Sequence, residues 1–219
     1  MSKPDFYSSP NWRQAWQQPA FRARIIAGAL IMLCIAIVMP YFFEHIEKRD
    51  GVALNDWVLN RIPATNVSMF ISLAMWSAIL LGVYRATRQP LLLQLFLWSF
   101  VLLTITRLVT ISLVALNPPL GIIPLSDPLA NAFYGRHFVS KDLFYSGHTS
   151  IVFLLFLCLD RKADKLIALV AALVVGILVM VQHIHYTVDV LFAPVFTLLC
   201  YFGGKMITRD YQKASPSWK

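Results

Sequence analysis

The sequence predicts an all-α protein of one domain that crosses a membrane several times. Of its 219 residues 58% are hydrophobic and only 14% are Asp, Glu, Lys or Arg, far to the apolar side of a water-soluble domain. Mean hydropathy is +0.64. The apolar residues also gather into runs near the length that crosses about 30 Å of hydrocarbon as a helix.

Those runs cover residues 25–43, 67–84, 91–116, 144–159, 166–182 and 188–207, which makes six predicted spans. The fourth and fifth are short, as suits spans whose outer ends are given over to polar motifs. Residues 1–23 are polar and carry Trp12, Trp16 and Phe21 among Arg13 and Arg22, a mixture suited to a segment lying at the membrane interface. The apolar run after it is too long for the core of a cleavable signal peptide, and no small-residue cleavage site precedes the next segment. The expected organisation is therefore an interfacial segment over 1–23, a six-helix membrane domain over 24–209 and a polar tail over 210–219.

Charge sets the expected orientation. With six spans, 13 of the 19 lysines and arginines fall on the face that holds both termini, among them Arg85, Arg88, Arg161, Lys162, Lys165 and Lys205. Five fall on the opposite face: Lys48, Arg49, Arg61, Arg136 and Lys141. Arg107 lies within the third span. By the positive-inside rule both termini are expected in the cytoplasm. The net charge of +8 then reads as a topology signal with some attraction for anionic lipid, and nucleic acid is not an expected partner. Cys34, Cys158 and Cys200 each sit inside an apolar run, where they read as small packing residues and not as a disulfide framework or metal cluster.

Polar chemistry concentrates in two places. His183-Ile184-His185-Tyr186-Thr187-Val188-Asp189 puts two imidazoles and a carboxylate between apolar runs. If this segment is helical, His185 and Asp189 share a face one turn apart. The carboxylate can then hold one ring nitrogen of His185 and leave the other, with raised basicity, to act as nucleophile or base. The second place is Phe144-Tyr145-Ser146-Gly147-His148-Thr149. Both motifs emerge on the face opposite the termini, the external face of the predicted topology. Gly147 allows a close backbone approach, and the N-terminus of the fourth helix favours a bound anion.

Ser146-Gly147-His148-Thr149, followed 37 positions on by His185-Tyr186-Thr187-Val188-Asp189-Val190, resembles the paired motifs of the sphingomyelin synthase branch of the type 2 phosphatidic acid phosphatase (PAP2) superfamily. The resemblance extends in weaker form to Arg107 and the Asn117-Pro118-Pro119 turn, over roughly residues 90–205. It implies a PAP2-like helical bundle and a metal-independent phosphoryl transfer on a lipid, with no cofactor. It further implies that His185 attacks phosphorus, that Asp189 orients His185, and that His148 protonates the leaving oxygen and then activates the acceptor.

One position departs from the wider superfamily. An arginine is expected there about six residues before the nucleophilic histidine, and this chain has Val179. The phosphate charge must be met otherwise, and Arg107, Arg136 and Lys141 are the candidates. Arg107 is the most telling, since a guanidinium inside a span is costly unless it faces a polar cavity or a partner. Its alternatives are the phosphate or a structural pair with Asp142, Asp127 or a backbone carbonyl. Ser146, Gly147 and Tyr186 complete the expected substrate contacts, although Tyr145 and Tyr186 also suit plain interfacial anchoring. His183 is expected to be hydrogen-bonded or to face a headgroup. His45 and His137 are expected to be solvated, His137 with a possible reach to a headgroup beside Arg136.

The loop over 117–143 holds Pro118, Pro119, Pro124, Pro128, Gly121 and Gly135. It reads either as a lid or headgroup wall, with Ser126, Asp127 and Asp142 as contacts, or as an ordinary connection. The expected reaction moves a phospho-headgroup from a membrane phospholipid to a lipid alcohol such as ceramide or diacylglycerol. With water as acceptor the same residues give a lipid phosphatase or a phospholipase C-like hydrolase. A protein that only binds or transports lipid is the alternative of another class. Small size and short loops lean toward a bacterial inner membrane.

Overall fold

The computed structural model describes residues 10–125 and 139–213, with side chains given through Arg209. The calls on Ser126, Asp127, Pro128, Gly135, Arg136 and His137 lie outside the described residues. Within them the chain is helical, and the only extended pairing is an isolated bridge between Val52 and Leu116.

A short helix, α1 (Trp12–Gln17), precedes α2 (Pro19–Glu47). Asn11 and Gln14 form a reciprocal capping box at its start, which satisfies backbone donors that a helix leaves orphaned. Phe21 is fully buried, with Trp12 and Trp16 edge-on at 6.1 and 6.3 Å. Trp12 Nε1 donates to Ala86 O at 3.2 Å, so the aromatic segment is tied to the end of the helix over Ser68–Ala86.

The remaining helices are α3 (Ser68–Ala86), α4 (Pro90–Leu113), α5 (Gly147–Cys158), α6 (Lys162–Val181) and α7 (Thr187–Lys213). Five helices are long and apolar enough to cross a membrane: α2, α3, α4, α6 and α7, the last counted over Thr187–Arg209. The protein is thus a multi-pass membrane protein. α5 has 12 residues, about 18 Å at 1.5 Å per residue, and does not match hydrocarbon thickness by itself. The fourth apolar run begins at 144, but the helix begins only at Gly147, because residues 139–146 run without helix into the site.

α5 sits at the centre. It packs on α6, α7, α4 and α3, while α4 lies along α7 and α3 along α6. Val152 and Leu155 of α5 join Ile71, Met75, Ala78, Val175 and Val179 in one core cluster. A second cluster joins Leu103, Leu154, Cys158, Ala193 and Cys200. α2 packs on α4 and turns Ile26, Leu30, Leu33 and Ile37 outward, as a helix does when its solvent is lipid. All three cysteines are free.

The two ends of the bundle differ. At the basic end Arg85 forms an ion pair with Asp164 at 2.7 Å and donates to it from Nη2 at 3.1 Å, and Lys165 Nζ donates to Phe156 O and Leu159 O at the end of α5. At the other end the connecting segments bind one another. Val52 N donates to Ala115 O, and Asn117 N to Val52 O. Gln182, fully buried, accepts from Val67 N and donates through Nε2 to Ser68 Oγ, Ile123 O and Pro124 O. This knits the start of α3 and the 117–125 segment to the corner after α6.

Candidate active site

The site forms where the N-termini of α5 and α7 meet. α5 starts at Gly147 with Ser146 as its cap: the Ser146 side chain accepts from Thr149 N, and Ser150 Oγ donates to Ser146 O at 2.6 Å. α6 ends at a corner where His183 takes φ 56, and α7 starts afresh at Thr187. His185 therefore lies in the corner and not on a helix, contrary to the helical reading of the motif.

The pairing with Asp189 forms all the same. Asp189 occupies the first turn of α7, and its carboxylate reaches back over the helix start. Its Oδ2 accepts from Tyr186 N at 3.1 Å and lies 3.3 Å from His185 Nδ1. Its Oδ1 accepts from Phe144 N at 3.2 Å, and its backbone oxygen accepts from Ser146 N at 3.1 Å. Asp189 is fully buried and His185 nearly so. One residue thus orients His185 and also stitches the two motifs together, a role with no signal in their spacing.

The His148 ring stands opposite His185, centroids 6.4 Å apart and planes at 62°. His148, His185 and Asp189 are thereby brought into one site. With Nδ1 of His185 donating to the carboxylate, the lone pair is left on Nε2. The two helix N-termini add partial positive charge on the same side.

The other candidate residues are placed as follows. The Arg107 guanidinium packs on Gly147 at the start of α5, donates to Tyr145 O and pairs with Asp142. It therefore sits beside the site and is engaged by two of the structural partners open to it. Lys141 is drawn away: its ammonium donates to Glu47 O and Arg49 O at the end of α2. Tyr145 and Tyr186 are both buried, which corrects their reading as interfacial anchors. The Tyr145 ring stacks on Phe196 at 4.5 Å, and the Tyr186 hydroxyl donates to Asn117 O while accepting from Leu54 N. His183 has its ring nitrogens 2.9 Å from Leu120 O and Ile62 O. Val179 lies in the apolar core, so no cation reaches the site from that turn of α6. Among the described residues no three His, Cys, Asp or Glu side chains converge as a metal site would.

A Cβ built on Gly147 would stand 2.8 Å from Arg107 Cζ. Gly147→Ala must displace either the guanidinium or the first turn of α5, and a displacement near 1 Å costs a reaction on the order of 10²-fold. We expect turnover to fall by about that factor with the melting temperature only slightly lowered, measured by lipid-product assay and thermal unfolding in detergent.

Two carboxylates that support the site carry no motif. Glu47 accepts from Ser140 N, Ser140 Oγ and Lys141 N, fixing the segment that leads into Asp142. Asp56 accepts from Thr187 N at 2.6 Å, from Thr187 Oγ, and from Val58 N and Leu59 N, so it caps α7 from 131 positions away. Burial pushes the Asp56 carboxyl up, but the bonds from Thr187, Leu59 and Val58 together hold it below its ordinary value. Its stabilisation is present above the unfolded carboxyl value of about 3.9 and is lost as pH falls through the lower folded value. Asp56→Asn should lower stability by about 1 kcal/mol at neutral pH. The gap to wild type should close in acid, which melting curves across a pH series will show.

Residues 141–205, from the segment before α5 into α7, match the family model described as PAP2 superfamily C-terminal. The match supports membership of the PAP2 superfamily. It takes in His148, His185 and Asp189, and the matched family suggests phosphatase or phosphotransferase activity on lipids. No curated protein matches the chain.

Proposed function

We propose that the protein moves a phospho-headgroup from a membrane phospholipid to a lipid alcohol through an intermediate on His185, as the sphingomyelin synthase-like motifs suggest. The observation that carries this reading is His185, oriented by Asp189 at 3.3 Å, with a second imidazole whose ring centroid lies 6.4 Å from its own. Two rings at that separation can both address one phosphoryl group.

In the first step Nε2 of His185 forms a bond to phosphorus while the bond from phosphorus to the glycerol oxygen breaks. His148, protonated, gives its proton to that oxygen, and the diacylglycerol leaves. In the second step the acceptor hydroxyl gives its proton to His148, its oxygen bonds to phosphorus, and the N–P bond to His185 breaks. Proton count and electron pairs return to the start. Asp189 stabilises the positive charge on His185 throughout, and the N-termini of α5 and α7 offset the charge on the phosphoryl oxygens. Arg107 holds the Tyr145–Gly147 turn in place beside them.

The positive-inside count favours cytoplasmic termini and a site that opens on the external face. Water as acceptor would make the same residues a hydrolase. To test the reading, the purified protein is incubated with phospholipid donors and a chelator, with and without ceramide or diacylglycerol, beside His185→Ala. A new headgroup-bearing lipid that needs the acceptor and the intact histidine is the expected result. Released phosphate or phospho-headgroup with no acceptor consumed would replace transferase by hydrolase.

A further inference from the structure

A cavity of about 270 Å³ lies between α3 and α4, with α5 as its floor. Trp76 and Gly82 line one wall, Phe96 and Phe100 the other, and Ile151 and Leu155 the floor. Its walls expose no polar atom. The opening exists because α3 packs chiefly on α6 and α4 on α7, so two helices joined by a short turn splay apart. Phe96 and Phe100 stack at 5.7 Å and 13°, which gives one wall a flat face. Gly82 lets α3 sit directly on the floor, since a Cβ there would meet Leu155 Cδ2 at 2.5 Å. Val83, also on the lining, is more than half exposed, so the cavity opens sideways from the bundle.

Two features say what fills it. First, all its walls belong to membrane-crossing helices and α5, so the medium at its mouth is hydrocarbon and not water. Second, its floor lies on the face of α5 that carries His148. His148, Ile151 and Leu155 are spaced by three and four residues on α5, so they share a side. From Trp76 to Ala86, both on the lining, the slot runs ten positions of α3, about 15 Å of rise, half of a hydrocarbon core of about 30 Å. That depth and bore suit one extended hydrocarbon chain.

We propose that this slot takes one acyl chain of the lipid whose headgroup is held between His148 and His185. The inference rests on the lipid phosphotransferase reading for what sits at the histidines, but the slot's occupant is tested separately. Chain-length preference then arises between α3 and α4, with Val83 beside the far, basic end of the slot, where the tail of the chain lies.

The test uses the full chain in nanodiscs with a phosphatidylcholine that carries a diazirine in one acyl chain, and maps the cross-links by peptide mass spectrometry. Labels should fall on the α3 and α4 peptides that hold Trp76 and Phe96. Val83→Trp, at an exposed position, should cut them about tenfold, the scale of losing a snug apolar fit. Leu80→Trp, exposed and off the lining, should leave them unchanged. In parallel, Val83→Trp should slow turnover of long-chain donors by a similar factor and leave a dihexanoyl donor within about twofold. Labels spread evenly over outward helix faces, a cross-link between two copies at this groove, or equal slowing of both donors would overturn the slot. Labels in the slot from a protein that turns over no donor would keep the slot and remove the transferase reading.

Discussion

Replacing His185 by alanine is expected to take lipid turnover to background, a loss of roughly 10⁵–10⁶-fold, the scale seen when a covalent nucleophile is removed from a working triad. His148 is not placed to take over. The His148 ring centroid lies 6.4 Å from that of His185, and it is His185 Nδ1 that the Asp189 carboxylate meets. The fold should survive, because Asp189 keeps its donors from Tyr186 N and Phe144 N when the imidazole is gone. Thermal unfolding of His185→Ala within a few degrees of wild type, with undiminished binding of donor lipid, would place the loss in the chemistry. A lipid-binding or transport protein would instead tolerate the change with a modest loss of binding.

Asp189→Asn is the second large effect, and it should hurt in two ways. An amide can accept at Oδ1 but presents N–H where the carboxylate receives a donor, so it favours the wrong tautomer of His185. That alone costs on the order of 10⁴-fold in turnover where a buried Asp orients a catalytic His. The same carboxylate also receives two backbone N–H groups, from Phe144 and Tyr186. Leaving one buried donor unpaired costs about 1–3 kcal/mol, so the melting temperature should fall by more than in His185→Ala. Turnover and melting measured on both variants separate the roles: loss of activity in both, and the larger loss of stability in Asp189→Asn.

Much of the fold was legible because its driving force is carried by local composition. Each of the six apolar runs contains a helix, and the termini-side charges Arg85 and Lys165 indeed cluster at one end of the bundle. The start of α5 was not legible from hydropathy. Phe144 and Tyr145 are as apolar as the helix that follows, and what keeps them out of it is long-range bonding: Phe144 N to Asp189, Tyr145 O to Arg107. Periodicity cannot register a bond to a residue 45 positions away.

The candidate triad was legible from residue types and motif spacing, and the structure brings its three members together. The path differs from the one the spacing suggested. His185 and Asp189 meet across a helix start and not along a helix face, since His183 ends α6 in the left-handed region. Arg107 was legible as a residue needing a partner, because a charge in a span cannot be left alone. Which partner it takes depends on Asp142 and Gly147 arriving from a segment that packs against α4. Asp56, Glu47 and Gln182 gave no warning at all. They are ordinary polar residues near apolar runs, and their importance comes from donors 93 to 131 positions away.

The central claim is that His185 carries the covalent intermediate. It is tested most directly by mixing the protein with donor phospholipid in the absence of acceptor, quenching in alkali to spare an N–P bond, and mapping the modified peptide by mass spectrometry. A phospho-headgroup mass is expected on His185 in wild type, discharged on adding lipid alcohol. An adduct on His148, or turnover with acceptor at full rate and no histidine adduct under any quench, would contradict it.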